Sequence, residues 1–234
     1  AGRPEIKYSL LSLNIGTKTN LNSNSLIRGD KNLAVPIKPF SASYEFIVEQ
    51  DIYKDDSLAI PFVIVGSGLA GIEIAFSLRK RWSKRNILLK VKSVREINKS
   101  LLRKLRALNI QITEKEPSIL YPKLICTGNK SFDWMKDVGL PVDEDGRVLT
   151  KKTLQVIDYP ELFAVGDCGV IKDHARPASG VWAVRAAKPL AKNLDAISKG
   201  VKLEEWNPQR KAIQLLDINS RKKASKAFIF WGEF

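Results

Sequence analysis

The stretch Phe62-Val63-Ile64-Val65-Gly66-Ser67-Gly68-Leu69-Ala70-Gly71-Ile72-Glu73 decides the fold of this chain. Its four leading apolar residues, with β-branched members among them, predict a buried strand. Three glycines then follow at G-x-G-x-x-G spacing, and the residues from Ile72 to Trp82 have helical periodicity. The stretch therefore predicts a strand, a tight glycine turn and a helix, in that order.

This order suits the phosphates of a dinucleotide. The first glycine allows the tight turn, the second lets backbone N–H groups approach a pyrophosphate, and the third lets helix and strand pack closely. The positive end of the helix dipole attracts the phosphates. We therefore predict a dinucleotide site formed by Gly66, Ser67, Gly68 and Gly71. The alternative is that these glycines only make a tight strand–helix turn.

Composition and length narrow the class of protein. The 234 residues suffice for one or two domains with a substantial core. The sequence has no apolar run long enough to span a bilayer and no secretory signal, and its two cysteines, Cys126 and Cys168, lie far apart. We therefore expect reduced thiols and a cytoplasmic protein. His174 is the only histidine, which argues against a histidine-centred triad or a histidine-rich metal site.

The net charge of +14 is concentrated in one region. Residues 79–106 contain twelve lysines and arginines against one acidic residue, Glu96, so this stretch alone carries +11. Such a surface could attract nucleic acid or anionic membrane, but solvated helix faces explain it equally well. Because no recognition motif accompanies the charge, we do not expect a nucleic-acid partner.

Helices and strands alternate around the glycine motif, which predicts an α/β fold with a doubly wound parallel sheet. We expect the helix that precedes the motif to be capped by Ser41 or Ser43. The predicted neighbouring elements are the strands 8–16, 86–91, 110–113, 121–127 and 162–165, the helices 41–51, 98–108 and 181–198, and two strands within 211–231 around a turn at 219–221.

Four turns in a fixed order carry a family resemblance. A strand ends at Gly16, the G-x-G-x-x-G unit follows, a further strand ends in Thr127-Gly128, and Phe163-Ala164-Val165 leads into Gly166-Asp167. Over about residues 8–195 this order resembles the pyridine nucleotide–disulfide oxidoreductase superfamily, whose members are flavoproteins with two dinucleotide-binding domains. Residues 163–167 are similar to its second FAD motif, and residues 125–140 to its Ala-Thr-Gly segment.

A finer resemblance is to the type II NADH dehydrogenase-like domain found fused to selenide, water dikinase. It rests on three segments, Pro36-Ile37-Lys38-Pro39, residues 177–185 and residues 207–211. The resemblance implies a Rossmann-like NAD(P)-binding domain and an incomplete FAD-binding domain. The implied segments are a remnant of the FAD domain and a linker (1–55), the NAD(P)-binding domain (56–130), the returning part of the FAD domain (131–200) and a C-terminal β-hairpin (201–234).

The resemblance also implies roles for residues of the FAD half. Asp167 would accept hydrogen bonds from the ribityl chain, although it also suits a plain turn or cap aspartate. Gly180, Val181 and Trp182 would open a helix beneath the flavin pyrimidine edge, where its dipole stabilises negative charge on reduced flavin. Taken alone, Trp182 indicates packing rather than a flavin contact.

Two further glycines, Gly16 and Gly128, would mark the crossings between the two domains. The family's opening strand and its own glycine motif do not occur in the sequence, which begins at Ala1. We therefore expect the chain to be part of a longer protein and to bind FAD weakly or not at all alone.

The expected function is hydride transfer from NAD(P)H to flavin in an NADH dehydrogenase-like oxidoreductase. No C-x-x-C pair occurs, so we expect a quinone, dioxygen, another small oxidant or an attached domain to accept the electrons, and no dithiol exchange. The alternative is a non-catalytic module of a selenide, water dikinase (selenophosphate synthase) polypeptide that senses nucleotides or acts as a scaffold.

Cofactor choice depends on the end of the strand that follows the glycine helix. An acidic residue is expected there, about 20 residues beyond the glycines, to bind the adenosine ribose of NAD. The chain instead has Lys90-Val91-Lys92. Lys90 and Lys92 would suit the 2′-phosphate of NADP, so we favour tolerance of NADP over strict use of NAD. The competing interpretation is that cofactor binding has been lost and the fold is purely structural.

Overall fold

The computed structural model describes residues 4–21, 31–217 and 227–233. Within them the strands are β1 (Leu11–Leu13), β2 (Lys18–Thr19), β3 (Ala34–Pro36), β4 (Phe62–Val65), β5 (Ile87–Lys90), β6 (Ile110–Thr113), β7 (Lys123–Ile125), β8 (Asn129–Lys130), β9 (Val148–Thr150), β10 (Gln155–Val156), β11 (Tyr159–Ala164), β12 (Gly169–Ile171), β13 (Lys211–Asp217) and β14 (Ala227–Glu233). The α-helices are α1 (Phe40–Glu49), α2 (Leu69–Arg81), α3 (Lys99–Ala107), α4 (Trp134–Asp137) and α5 (Gly180–Ser198). Short 3-10 helices lie at Lys31–Leu33, Gln50–Tyr53, Val94–Glu96 and Gly166–Cys168.

The chain forms two compact units. The first contains the described residues of Ala1–Lys18, Asn129–Ile213 and Trp231–Phe234. The second contains those of Thr19–Gly128 and Gln214–Phe230. The second unit therefore interrupts the sequence of the first.

The second unit is built on a five-stranded sheet of order β3-β7-β4-β5-β6. Every neighbouring pair in this sheet is parallel. Helix α2 connects β4 to β5, and α3 connects β5 to β6. This confirms the predicted mixed α/β, Rossmann-like fold with a parallel sheet.

Strand β4 lies inside this sheet and is buried on both faces. Phe62 and Ile64 belong to the main hydrophobic cluster, which includes the buried residues of α1, α2 and α3. Val63 and Val65 pack with Ile125 in a smaller cluster. A strand covered on both faces reads as the continuous apolar run that the sequence shows.

The first unit contains a sheet of order β1-β11-β10-β9-β12. Strand β1 pairs parallel with β11, and β10 is antiparallel to β11 and β9. Phe163, Val165 and Ile171 pack against Ala186 and Leu190 of helix α5. This helix fixes one face of the sheet, next to the turn that follows β11.

Two local expectations are corrected. Helix α1 begins at Phe40 after Pro39, with no side-chain cap, rather than behind a Ser41 or Ser43 cap. The Ser43 hydroxyl lies inside the helix and donates to the carbonyl of Phe40 at 2.9 Å. Proline suits this position because its fixed φ needs no further ordering, and serine can bond to the preceding turn instead of capping. The strand predicted over 8–16 contains only Leu11–Leu13.

The predicted C-terminal strands are present as β13 and β14, which form a two-stranded sheet. The turn predicted at 219–221 lies outside the described residues.

A buried arginine fastens the segment before β4 to the core. Arg85 is 1% exposed, and its guanidinium donates to the backbone carbonyl of Gln50 at 2.9 Å and to the Gln50 side-chain oxygen at 2.8 Å. The guanidinium carbon also lies 5.1 Å from the ring centre of Tyr53, 5.5 Å from that of Phe62 and 5.0 Å from that of Trp82. The aromatic faces and the two oxygen acceptors thus take the place of water around this buried charge.

We expect Arg85→Ala to lower the free energy of unfolding by about 3 kcal/mol, because it removes the cation–π contacts and leaves buried acceptors without a donor. Urea unfolding measures the change. Arg95→Ala, on an exposed side chain, is the control and should change stability by less than about 0.5 kcal/mol. Equal losses in both variants would contradict the structural role of Arg85.

Candidate functional site: the glycine turn and the Gly166-Asp167 cleft

The turn between β4 and α2 is held by close backbone contacts. Gly66 has φ +131, and its N–H donates to the carbonyl of Lys90 at 2.9 Å. A Cβ atom on Gly66 would lie 2.6 Å from the carbonyl oxygen of Cys126, and one on Gly71 would lie 2.4 Å from that of Gly66. Both distances are too short for any side chain, so the fold itself requires these two glycines.

The middle glycine is different. Gly68 is exposed, and a Cβ atom built on it meets no atom within 4 Å. Its backbone angles, φ −66 and ψ 166, are open to any L-residue. Neither strain nor packing in the described chain therefore calls for glycine here, whereas close approach of a ligand to the backbone would.

Helix α2 begins at this open position. Gly68 is its N-cap, with no side-chain cap hydrogen bond, and the first turn contains no acidic residue. The first N–H groups of a helix have no partner within the helix, so they are donors for an anion. Ser67, half-buried, precedes them. The four predicted residues thus lie in one turn, with an anion-binding helix end beside open space.

The thiols do not add redox chemistry to the turn. Burial raises the pKa of Cys126 to about 12, so this residue stays a protonated thiol at neutral pH. Cys168 is buried, its Sγ lies 3.3 Å from the carbonyl oxygens of Leu13 and Val165, and burial raises its pKa. Across the described residues no group of histidine, cysteine, aspartate or glutamate side chains has the arrangement of a metal site.

The two predicted lysines occupy different surroundings. The Lys90 side chain is 12% exposed, and its ammonium donates to the carbonyls of Glu114 and Val91 and pairs with Glu116 at 3.4 Å. Lys92 is exposed. Of the two, Lys92 offers its charge to solvent, whereas that of Lys90 is turned toward the residues that follow β6.

Four of the residues predicted for the FAD half come together in the first unit. Gly16, Gly166, Asp167 and Gly180 line one cleft of about 360 Å³. Apart from Val165, which belongs to the FAD-like motif at 163–167, sequence reasoning missed the remaining members of its lining. The small residues spaced at helical intervals along α5 could have indicated the two alanines among them. These remaining members are Asn14, Val165, Ala183, Ala187 and Leu190.

Helix α5 presents its N-terminal end to this cleft. Its N-cap is Ser179, whose hydroxyl accepts from the N–H of Val181 at 3.4 Å. Trp182 is buried, and its ring lies against two guanidiniums. The ring centre is 5.9 Å from the guanidinium carbon of Arg176 and 5.3 Å from that of Arg185. It lines a separate cavity of about 40 Å³ rather than the cleft. Its packing is therefore well defined without a ligand.

Gly128 is not among the residues that line the cleft. It is the last residue of the second unit before the chain passes to the first, and its carbonyl accepts from the N–H of Asn20 at 3.3 Å. The Thr127 hydroxyl donates to the Asn20 carbonyl at 2.9 Å.

Among the described helices, none is long and apolar enough to cross a membrane.

Comparison with known proteins finds relatives of low sequence identity and solved structures of similar fold. No protein-family model matches the chain. It is 24% identical over 205 residues to ferroptosis suppressor protein 1 of Taeniopygia guttata, a match that covers 72% of this chain and 52% of that protein. The chain thus spans about half the length of this curated relative.

Solved structures share the fold at low identity. The NAD-dependent persulfide reductase from A. fulgidus has a TM-score of 0.68 and 19% identity, with 90% of this chain and 42% of that chain covered. The water-forming NADH oxidase from Lactobacillus brevis, bound to NADH, has a TM-score of 0.62 and 13% identity, and the match covers 95% of this chain and 60% of that chain. An engineered NADPH oxidase derived from it, bound to NADPH, has a TM-score of 0.56 and 14% identity, also with 95% and 60% covered.

The geometry separates the two roles of the glycines experimentally. We expect Gly68→Val to fold, with at most about 1 kcal/mol of stability lost because valine is a poorer N-cap. It should lose at least about tenfold in dinucleotide affinity, because its side chain fills the space in front of the helix end. Gly71→Ala should instead lower the unfolding midpoint, because its Cβ meets the Gly66 carbonyl. Thermal unfolding and titration with NADH and NADPH measure the two effects. A Gly68→Val protein that binds like the wild type would rule out the glycine turn as the dinucleotide site.

Proposed function

We propose that this chain is part of an FAD-dependent NAD(P)H oxidoreductase and that the glycine turn holds the nicotinamide dinucleotide. The observation that carries the proposal is the open space at Gly68, beside an uncapped helix end, between two glycines that packing requires. The comparison proteins support it, since they include an NAD-dependent reductase and an NADH oxidase bound to NADH.

In this proposal the second unit binds and orients the dinucleotide. The first N–H groups of α2 donate to the pyrophosphate, and the positive helix end favours its charge. Gly68 lets the backbone come within hydrogen-bonding distance because no side chain intervenes. No side-chain nucleophile is needed, since positioning and electrostatics are what the protein contributes to hydride transfer.

The Gly166-Asp167 cleft fits the ribityl side of a flavin. Asp167 supplies a carboxylate acceptor for hydroxyl groups, and Gly180, the first residue of α5, brings the positive end of that helix to the cleft. That helix end would stabilise negative charge on a reduced ring system. FAD, when bound, would accept the hydride at N5 and pass the electrons to a quinone or another small oxidant.

The cleft is bordered by an unpaired sheet edge. Within the described residues β1 is the edge strand of its sheet, next to β11. Leu11 and Ile15, in and after β1, are exposed, as is Val184 on α5. We propose that a further strand and glycine motif of the complete protein adds along β1 and closes the flavin site, which would make the complete protein an enzyme and the isolated chain inactive.

The cytoplasmic location and the alternative function stay predictions. A nucleotide-sensing or scaffolding role attached to selenide, water dikinase has no support from the described geometry. A flavin test distinguishes it from the oxidoreductase.

We expect the complete protein to purify yellow and to be bleached by NADH or NADPH. Asp167→Ala in that protein should lower flavin occupancy several-fold, because it removes the proposed acceptor for the ribityl hydroxyls. The ratio of flavin absorbance to protein absorbance measures occupancy. Asp137→Ala, an exposed aspartate on α4, is the control. A colourless complete protein would refute the proposal.

We expect Lys92→Glu to weaken NADPH binding by about tenfold and NADH binding much less, since the exposed ammonium is the one available to a 2′-phosphate. Arg103→Glu, on the exposed side of α3, makes the same change in net charge and should leave the preference unaltered. Equilibrium titration of both dinucleotides gives the ratio. An unaltered ratio in Lys92→Glu would count against a phosphate contact there.

A further inference from the structure

Lys90 stands where a dinucleotide fold normally has an acidic residue. Strands β4 and β5 pair with Val65 opposite Lys90, and the N–H of Gly66 donates to the Lys90 carbonyl at 2.9 Å. Lys90 is therefore the strand-end residue next to the glycine turn, the position from which the adenosine ribose is recognised. A free ammonium here would favour the 2′-phosphate of NADPH.

That ammonium already has a full set of partners. It donates to the carbonyls of Glu114 and Val91, and its Nζ lies 3.4 Å from the Oε1 atom of Glu116. The Lys90 side chain is 12% exposed, whereas that of Glu116 is 58% exposed. The lysine is thus held against the end of β6, and the carboxylate that neutralises it faces solvent.

Glu114 and Glu116 act on this corner in different ways. The Glu114 carboxylate accepts from the N–H of Val94 at 2.7 Å, and only its backbone carbonyl contacts Lys90. Glu116 contributes its carboxylate directly to the ammonium. The two glutamates therefore carry the same charge close together, but it is the carboxylate of Glu116 that forms the ion pair with Lys90.

We propose that Glu116 determines the choice between NADH and NADPH by acting as the internal counter-ion of Lys90, an inference that rests on the proposed dinucleotide site. The Glu116 carboxylate repels a 2′-phosphate that approaches Lys90. The phosphate can contact the ammonium only by displacing that carboxylate from it. A ribose 2′-hydroxyl meets an acceptor instead. The acidic group missing from the end of β5 is in this way supplied by the segment after β6.

The test is titration of the 234-residue chain with NADH and with NADPH, followed by the fluorescence of the reduced nicotinamide. We expect Glu116→Gln to tighten NADPH binding by about fivefold, the upper range for an exposed ion pair, and to leave NADH binding nearly unchanged. The gain should shrink as salt rises, because screening weakens the interaction. Glu114→Gln is the matched control, and it should leave the NADPH/NADH ratio within about twofold of the wild type.

A double-variant cycle separates the pair from general charge effects. In a Lys90→Gln background, Glu116→Gln should shift the ratio much less, because no ion pair is left to release and only the direct repulsion of the phosphate is removed. An unchanged ratio in Glu116→Gln, or the same shift with and without Lys90, would overturn the role of Glu116 while the proposed function stands. If neither dinucleotide binds any of the proteins, the dinucleotide site itself is wrong, and this inference fails with it.

Discussion

The second unit depends on how closely three pieces of backbone approach one another at one corner. The end of β4, the start of α2 and the end of β7 meet where Gly66 and Gly71 leave no room for a Cβ atom. Because the Cys126 carbonyl lies against Gly66, a side chain on Gly66 would push the turn away from β7. Gly68, between these two glycines in the sequence, faces the open space where the proposed ligand lies.

The positively charged groups around this corner differ in how accessible they are to a ligand. The helix end provides donors that no side chain of α2 uses, whereas Lys90 is occupied by the residues after β6. Lys92 remains exposed. A charge in the sequence is therefore a poor guide to the charge a ligand meets, because the neighbouring strand decides which cations are already neutralised.

The sequence predicted the features that depend on local spacing. The glycine motif and the parallel α/β order follow from turns whose geometry needs few residues, whereas the family resemblance, and not spacing, implied that Gly16, Gly166 and Asp167 belong to one site. The sequence did not predict the start of α1 at Phe40, the partners of Lys90 or the position of Trp182 between two arginines. Each of these depends on atoms distant in sequence or on competition between backbone and side-chain hydrogen bonds, which periodicity does not encode.

The interrupted order of the two units has a consequence for folding. Strand β1 pairs with β11, so that Leu11 lies opposite Leu162, and most of the second unit separates them in sequence. Contacts of such long sequence separation form late, since closing the loop costs entropy before any contact is gained. During synthesis residues 19–128 of the second unit are thus made before β11, whereas its segment within 214–230 follows β11. A defect in the glycine turn would then delay both units, although only one of them contains it.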